Sequence, residues 1–180
     1  SLRDELLSIV NGYFNMFTRL VYLEFNETKI IEEKESLKMS QNFHRDPGLH
    51  GCIKVFLYLT KVEEGGGGFT YIKDSHFLGK FGKVLRSKYF GAGGVYPSLE
   101  KINKEIPQEN ITEVFGDIGT VIIADTTGLH RGGISFKEKR EMTTSVFYPE
   151  HDYHKSKIEW LFEDEEQISR QQSFAMNNRN

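Results

Sequence analysis

Residues 52–60 read Cys-Ile-Lys-Val-Phe-Leu-Tyr-Leu-Thr, and this stretch decides the fold. Its branched and aromatic side chains favour a strand, and apolar residues fall on both of its faces. A strand of that kind lies inside a sandwich or barrel. Four glycines follow at 65–68. Such a run suits a turn or a closely approached backbone. A phosphate cradle would need a Gly-Lys-Ser/Thr ending or a G-x-G-x-x-G opening a helix, and the chain has neither. Strand character resumes at 69–72, so the two segments read as strand, glycine turn, strand.

Outward from this pair the pattern is mostly β. Leu2, Leu6, Ile9, Tyr13, Phe17 and Leu20 recur at steps of three and four, predicting an N-terminal helix over 1–17 with that face on the core. From Thr18 the residues alternate, with Leu20, Tyr22 and Glu24 on one face and Val21, Leu23 and Phe25 on the other, as in a strand. The charged stretch 29–39 suits a solvated edge strand or loop. Gly116-Asp117 turns the chain into a short buried strand at 120–125. Residues 140–148 form another strand, with Arg140, Met142, Thr144 and Val146 on one face. Between them, 77–115 mixes scattered glycines with Lys80, Lys83, Arg86 and Lys88 and is expected to be a variable or lid-like insertion. Residues 150–180 are expected to cover one sheet through Ile158, Trp160, Leu161 and Phe162, with disorder from about Ser173. Short strands, glycine turns and the lack of a βαβ rhythm predict an all-β core with flanking helices, a double-stranded β-helix of the jelly-roll, cupin-like kind, in a single domain with its core over 18–149.

The 180 residues carry a net charge of −3, which creates no basic field to draw nucleic acid or anionic lipid. No apolar run is long enough to suggest a membrane span. The single cysteine, Cys52, cannot close an internal disulfide and is read as a small core residue, which fits a reducing cytoplasm.

Residues 41–47, Gln-Asn-Phe-His-Arg-Asp-Pro, hold the most chemistry-bearing spacing. His44 and Asp46 stand at i and i+2, which places both side chains on one face of an extended segment. His130, at the end of the strand that begins at Thr120, is the best third member. Two histidines and one carboxylate on one octahedral face suit Fe(II) and leave three positions open. His44, Asp46, His130 and Arg140 are expected to converge at the mouth of the barrel, where a small-molecule site belongs. Of the other histidines, His50 is close enough to Asp46 to be a rival ligand, His76 is read as structural, and His151 and His154 as solvated.

These blocks resemble the phytanoyl-CoA dioxygenase branch of the Fe(II)/2-oxoglutarate oxygenases. The likeness spans 41–148. It rests on Phe43-His44-Arg45-Asp46, similar to a W-H-x-D segment with Phe in place of Trp; on Leu57-Tyr58-Leu59-Thr60, the glycine turn and Ser75-His76, where Lys73-Asp74 replaces Pro-Gly; and on Gly116-Asp117, Ala124-Asp125, His130 and Arg140. The resemblance implies a dioxygenase that holds iron through His44, Asp46 and His130 and uses 2-oxoglutarate and O2 as co-substrates. It further implies hydroxylation of a small-molecule C–H bond with release of succinate and CO2, since Asp46 keeps the carboxylate that halogenating relatives lack. Arg140 would pair with the distal carboxylate of 2-oxoglutarate through its guanidinium fork. Arg131 is a rival for that role, and Thr144, Tyr58 and Lys54 are candidate helpers. The cations at 80–88 hint at an anionic substrate. Two other readings stay open: a cupin-type metalloenzyme that works without 2-oxoglutarate, and a non-catalytic module that binds metal or a 2-oxo acid.

Overall fold

The computed structural model describes residues 2–31, 39–48, 50–83, 96–149, 158 and 168–176. The sequence expectations for 32–38, Arg86, Lys88, His151, His154 and 160–162 lie outside the described residues. Helix α1 (Asp4–Phe14) leads into β1 (Arg19–Thr28). Then come β2 (Ile53–Tyr58), β3 (Phe69–Ile72), α2 (Leu99–Glu105), β4 (Ile111–Val114), β5 (Val121–Asp125), β6 (His130–Arg131), β7 (Arg140–Tyr148) and α3 (Arg170–Met176). The strands form two antiparallel sheets, one in the order β1-β7-β2-β5 and one in the order β4-β3-β6. This is the all-β core with flanking helices that strand 52–60 predicts.

Strand β2 explains why both of its faces are apolar. Ile53 and Val55 pack with Leu20 and Phe147 beneath Leu7 and Val10 of α1 and Ala175 of α3. Phe56 and Tyr58 face the other way and meet Met142, Phe69 and Val62, with Tyr71 and Val114 packed alongside. The second cluster joins the two sheets, so the interior of the sandwich lies there. A third cluster lies behind the smaller sheet, where Ile102 and Ile106 of the α2 region cover Phe43, Ile72 and Leu129. Part of the 77–115 stretch expected as an insertion therefore belongs to the fold: β4 is an edge strand of the smaller sheet, and α2 closes a core cluster.

Four details differ from the sequence expectation. Helix α1 buries Leu7 and Val10, while Ile9 and Tyr13 are more than half exposed. Apolar residues occur around most of its circumference, so the periodicity admits two faces, and packing against Leu20 and Phe147 selects one. The helix stops at Asn15 in the left-handed region, φ 53°, which excludes Phe17 and Leu20 from it. In β1 an irregularity between Leu20 and Tyr22 moves Leu20 to the helix-covered face and leaves Tyr22 on the interior one. At the other end, α3 runs through Met176, past the point at which disorder is expected. Its residues are tied to α1 by Asn11 Nδ2 donating to Gln171 at 2.8 Å, and to the segment before α1 by Gln172 Nε2 donating to the Leu2 carbonyl at 2.8 Å.

Among the described residues no helix is long and apolar enough to cross a membrane. Cys52 is fully buried, and burial pushes its thiol up to about 11, as suits a core residue rather than a nucleophile.

Candidate metal centre

The local chain path brings the three candidate ligands together. Residue 44 forms an isolated antiparallel bridge with residue 130: His44 N donates to His130 O at 2.9 Å and His130 N returns the bond at 3.0 Å. The His44–Asp46 segment thus lines the free edge of β6, and Asp46 N donates to Thr126 O at 2.8 Å. His130 arrives through a tight turn that carries the chain from one sheet to the other. In that turn the Asp125 carboxylate accepts from Thr127 N at 3.0 Å and Thr127 Oγ1 at 2.7 Å. The Tyr71 hydroxyl donates to Asp125 O at 2.9 Å, so close to the turn that a β-carbon at Gly128 would run into it.

One ligand atom from each of His44, Asp46 and His130 lies within 4.8 Å of the others. His130 is buried and the other two are partly buried. The backbone assigns both imidazole tautomers. His44 Nδ1 lies 2.8 Å from Asn42 O and His130 Nδ1 lies 2.9 Å from Gly128 O. A carbonyl only accepts, so each Nδ1 carries a proton, which leaves Nε2 as the nitrogen available to a metal. Backbone partners of this kind are how metal-binding histidines are usually oriented. His130 Nε2 lies 3.4 Å from Asp46 Oδ2.

Electrostatics favour the metal-binding protonation states. Burial pushes the His130 imidazole well below its ordinary value, so it stays neutral. Burial also works against the Asp46 charge, but its charged surroundings, with the Lys54 ammonium at 2.7 Å, more than compensate and hold this carboxyl below the usual range. The His130 shift has a consequence for stability. In the unfolded chain a histidine takes up a proton near pH 6.5, whereas buried His130 does not, so the unfolded state binds more protons and stability falls as pH drops below that point. One such group contributes up to about 1.4 kcal/mol per pH unit. Without metal, the melting temperature is expected to fall from pH 7.5 to 5.5 and to fall less in His130→Asn; equal losses in both proteins would remove this assignment.

Arg140 opens β7 at the other end of the interior face. It is 3% exposed, and its guanidinium donates to the Gly67 carbonyl and to Thr28 Oγ1, the latter at 2.9 Å. Its Nε is buried without a partner. Arg45 and Arg131 also have a buried Nε without a hydrogen-bond partner, and a guanidinium donor of this kind has the chemistry to meet a carboxylate. The glycine run supports this residue: Gly65 and Gly67 have positive φ, 83° and 76°, as a tight turn requires, and Gly67 supplies the carbonyl that holds Arg140. Arg131, the rival, has its guanidinium over the Phe43 ring at 4.8 Å, on the side away from its neighbour His130.

The helper residues are placed differently. Thr144 is buried on the same face as Arg140 and accepts from Asn26 Nδ2 at 3.2 Å. The Tyr58 hydroxyl is engaged by backbone, donating to Val114 O at 2.8 Å and accepting from Phe69 N at 3.0 Å, so it ties the two sheets together. Lys54 lies opposite Val146 on β7, six residues or roughly 20 Å of strand from Arg140, and its Nζ is 2.7 Å from Asp46 Oδ2. His50 is exposed and is not part of the ligand group found among the described residues.

Three supporting residues escape a reading of spacing alone. Arg45, between the two ligands, donates to Thr127 O at 2.8 Å and to the Ser75 carbonyl, stapling the ligand segment to the turn. Ser75 donates to Ile72 O at 2.6 Å and accepts from Leu129 N at 2.7 Å, one residue before His130. Thr126 accepts from Asp46 N through its carbonyl at 2.8 Å and donates its hydroxyl to Cys52 O at 3.2 Å, which fixes the backbone at Asp46.

No protein-family model and no curated protein sequence matches the chain. Solved structures do match. SnoN, a non-haem alpha ketoglutarate dependent epimerase from nogalamycin biosynthesis, aligns over 82% of this chain and 55% of its own, with TM-score 0.60 and 17% identity. SnoK, a non-haem alpha ketoglutarate dependent carbocyclase from the same biosynthesis, aligns over 82% and 56%, with TM-score 0.58 and 17% identity. EctD from S. alaskensis, solved with bound Fe, aligns over 82% and 50%, with TM-score 0.55 and 13% identity. The chain has their fold. It spans about half the length of these proteins.

Proposed function

We propose that this chain is an Fe(II)- and 2-oxoglutarate-dependent oxygenase of the phytanoyl-CoA dioxygenase-like kind, hydroxylating a C–H bond of a small-molecule substrate. The observation that carries the reading is the ligand group itself: His44, Asp46 and His130 within 4.8 Å, with both imidazoles held to present Nε2. Two neutral imidazoles and a carboxylate are the donor set Fe(II) takes in this chemistry. Arg140 adds the second requirement, a buried guanidinium with a free donor on the interior face, suited to the distal carboxylate of 2-oxoglutarate. The fold shared with alpha ketoglutarate dependent enzymes and an iron-bound protein supports the same assignment.

In this reading His44, Asp46 and His130 hold the iron, and Arg140 fixes the co-substrate, with Thr144 further along the same face as a hydroxyl donor. When bound, iron and 2-oxoglutarate supply the oxidation: O2 is consumed, 2-oxoglutarate leaves as succinate and CO2, and a substrate C–H bond is broken. The protein supplies orientation and the exclusion of water. Phe56, Phe69 and Tyr71 form an aromatic wall beside His130, with Phe69 5.8 Å from its ring, and keep that side dry. Because SnoN and SnoK are an epimerase and a carbocyclase, product analysis is needed to tell hydroxyl insertion from other outcomes of C–H cleavage. Succinate release from 2-oxoglutarate that depends on added Fe(II) tests the proposal. Binding of both without succinate, across acidic and neutral small molecules, would favour the non-catalytic module.

A further inference from the structure

Lys54 stands out because a cation lies against a metal ligand. It projects from β2 into the interior, in a row with Tyr22, Val146 and Ala124, and its side chain is 14% exposed. Its Nζ is 2.7 Å from Asp46 Oδ2, and the Asp46 side chain is also 14% exposed. At this distance the two side chains form an ammonium–carboxylate ion pair. The Asp46 oxygen that Lys54 contacts is the one nearest His130 Nε2, the side from which a metal would be bound.

This changes the charge that the centre offers. An imidazole brings no negative charge to a metal, so Asp46 is the only anionic member of the set, and Lys54 offsets it at close range. At such burial the repulsion between an ammonium and a divalent cation is weakly screened, an effect on the order of tenfold or more in binding. We infer that Lys54 is an electrostatic brake on the centre, lowering its affinity for divalent cations so that the metal remains exchangeable. This rests on the metal-centre reading above and goes beyond it, because it assigns a role opposed to metal retention.

The test is titration of Co(II) or Mn(II) into the wild type, Lys54→Met and Lys54→Arg, with His130→Ala as the control for the centre itself. Lys54→Met keeps much of the volume without the charge and is expected to bind Co(II) at least about tenfold more tightly than the wild type. Lys54→Arg, which keeps the charge, is expected to stay near the wild-type affinity. Lys54→Met also leaves Asp46 buried without its partner, so the variant should melt lower without metal and gain more in melting temperature on adding Co(II) than the wild type. That second measurement covers the case in which Lys54→Met is only marginally folded at room temperature. Equal or weaker binding in Lys54→Met, with no larger metal-dependent gain, would overturn the inference and make Lys54 a residue that merely holds Asp46 in place. If the wild type and His130→Ala bound Co(II) alike, the failure would lie in the metal-centre reading instead.

Discussion

His130→Ala is expected to lose divalent metal binding by more than about 100-fold and, with it, all Fe(II)-dependent turnover of 2-oxoglutarate. Changes to residues that merely support a metal ligand already cost about 10–100-fold in affinity, and this substitution removes a proposed ligand. His130 is buried, is fixed by the Gly128 carbonyl, and shares the site with Asp46 at 3.4 Å, so no solvent-exposed side chain can readily take its place. Co(II) titration measures the first loss and succinate formation the second. Because a void is left beside Phe69 and His44, His130→Asn serves as a check that lost binding is not lost folding. Unchanged affinity in a folded variant would remove His130 from the centre.

Arg140→Ala is expected to act on the other end of the site. Truncating one partner of a buried charge pair costs about 2–5 kcal/mol, so 2-oxoglutarate affinity should fall by at least about 30-fold. Metal affinity in the absence of 2-oxoglutarate should stay within about twofold, since Arg140 does not belong to the ligand group. The variant also loses the bonds to Thr28 and the Gly67 carbonyl and should melt at a lower temperature. Arg140→Lys keeps a charge but not the fork, and should recover only part of the binding. Equal 2-oxoglutarate affinity in wild type and Arg140→Ala would move that role to another residue.

How far these residues were legible in the sequence follows from what each position demands. His44, Asp46 and His130 could be singled out because few side chains bind metal and because i, i+2 spacing on an extended segment puts two on one face. Arg140 was legible as the first residue of an alternating strand, and the structure keeps its face with Met142, Thr144 and Val146. Strand 52–60 was legible because both of its faces are apolar, and both are covered. The face of α1 was not, because its apolar residues admit two stripes and only the surface of the β1-β7-β2-β5 sheet chooses between them. Arg45 was passed over as the variable residue between two ligands, since its partners are backbone carbonyls at 75 and 127, which leave no mark in a sequence pattern. The Lys54–Asp46 pair was hidden for a similar reason: it joins a strand to a loop across the interior, and nothing in the spacing from 46 to 54 implies contact.

The central claim is that one site holds iron and a 2-oxo acid together, and anaerobic titration of 2-oxoglutarate into the Fe(II)-loaded protein, followed by visible absorption, tests it most directly. A 2-oxo acid chelating Fe(II) produces a metal-to-ligand charge-transfer band that neither component shows alone. The account predicts that this band appears in the wild type, saturates at one equivalent per chain, is absent from His130→Ala, and in Arg140→Ala needs a much higher 2-oxoglutarate concentration. A folded, iron-loaded wild type that developed no band at saturating 2-oxoglutarate would contradict it.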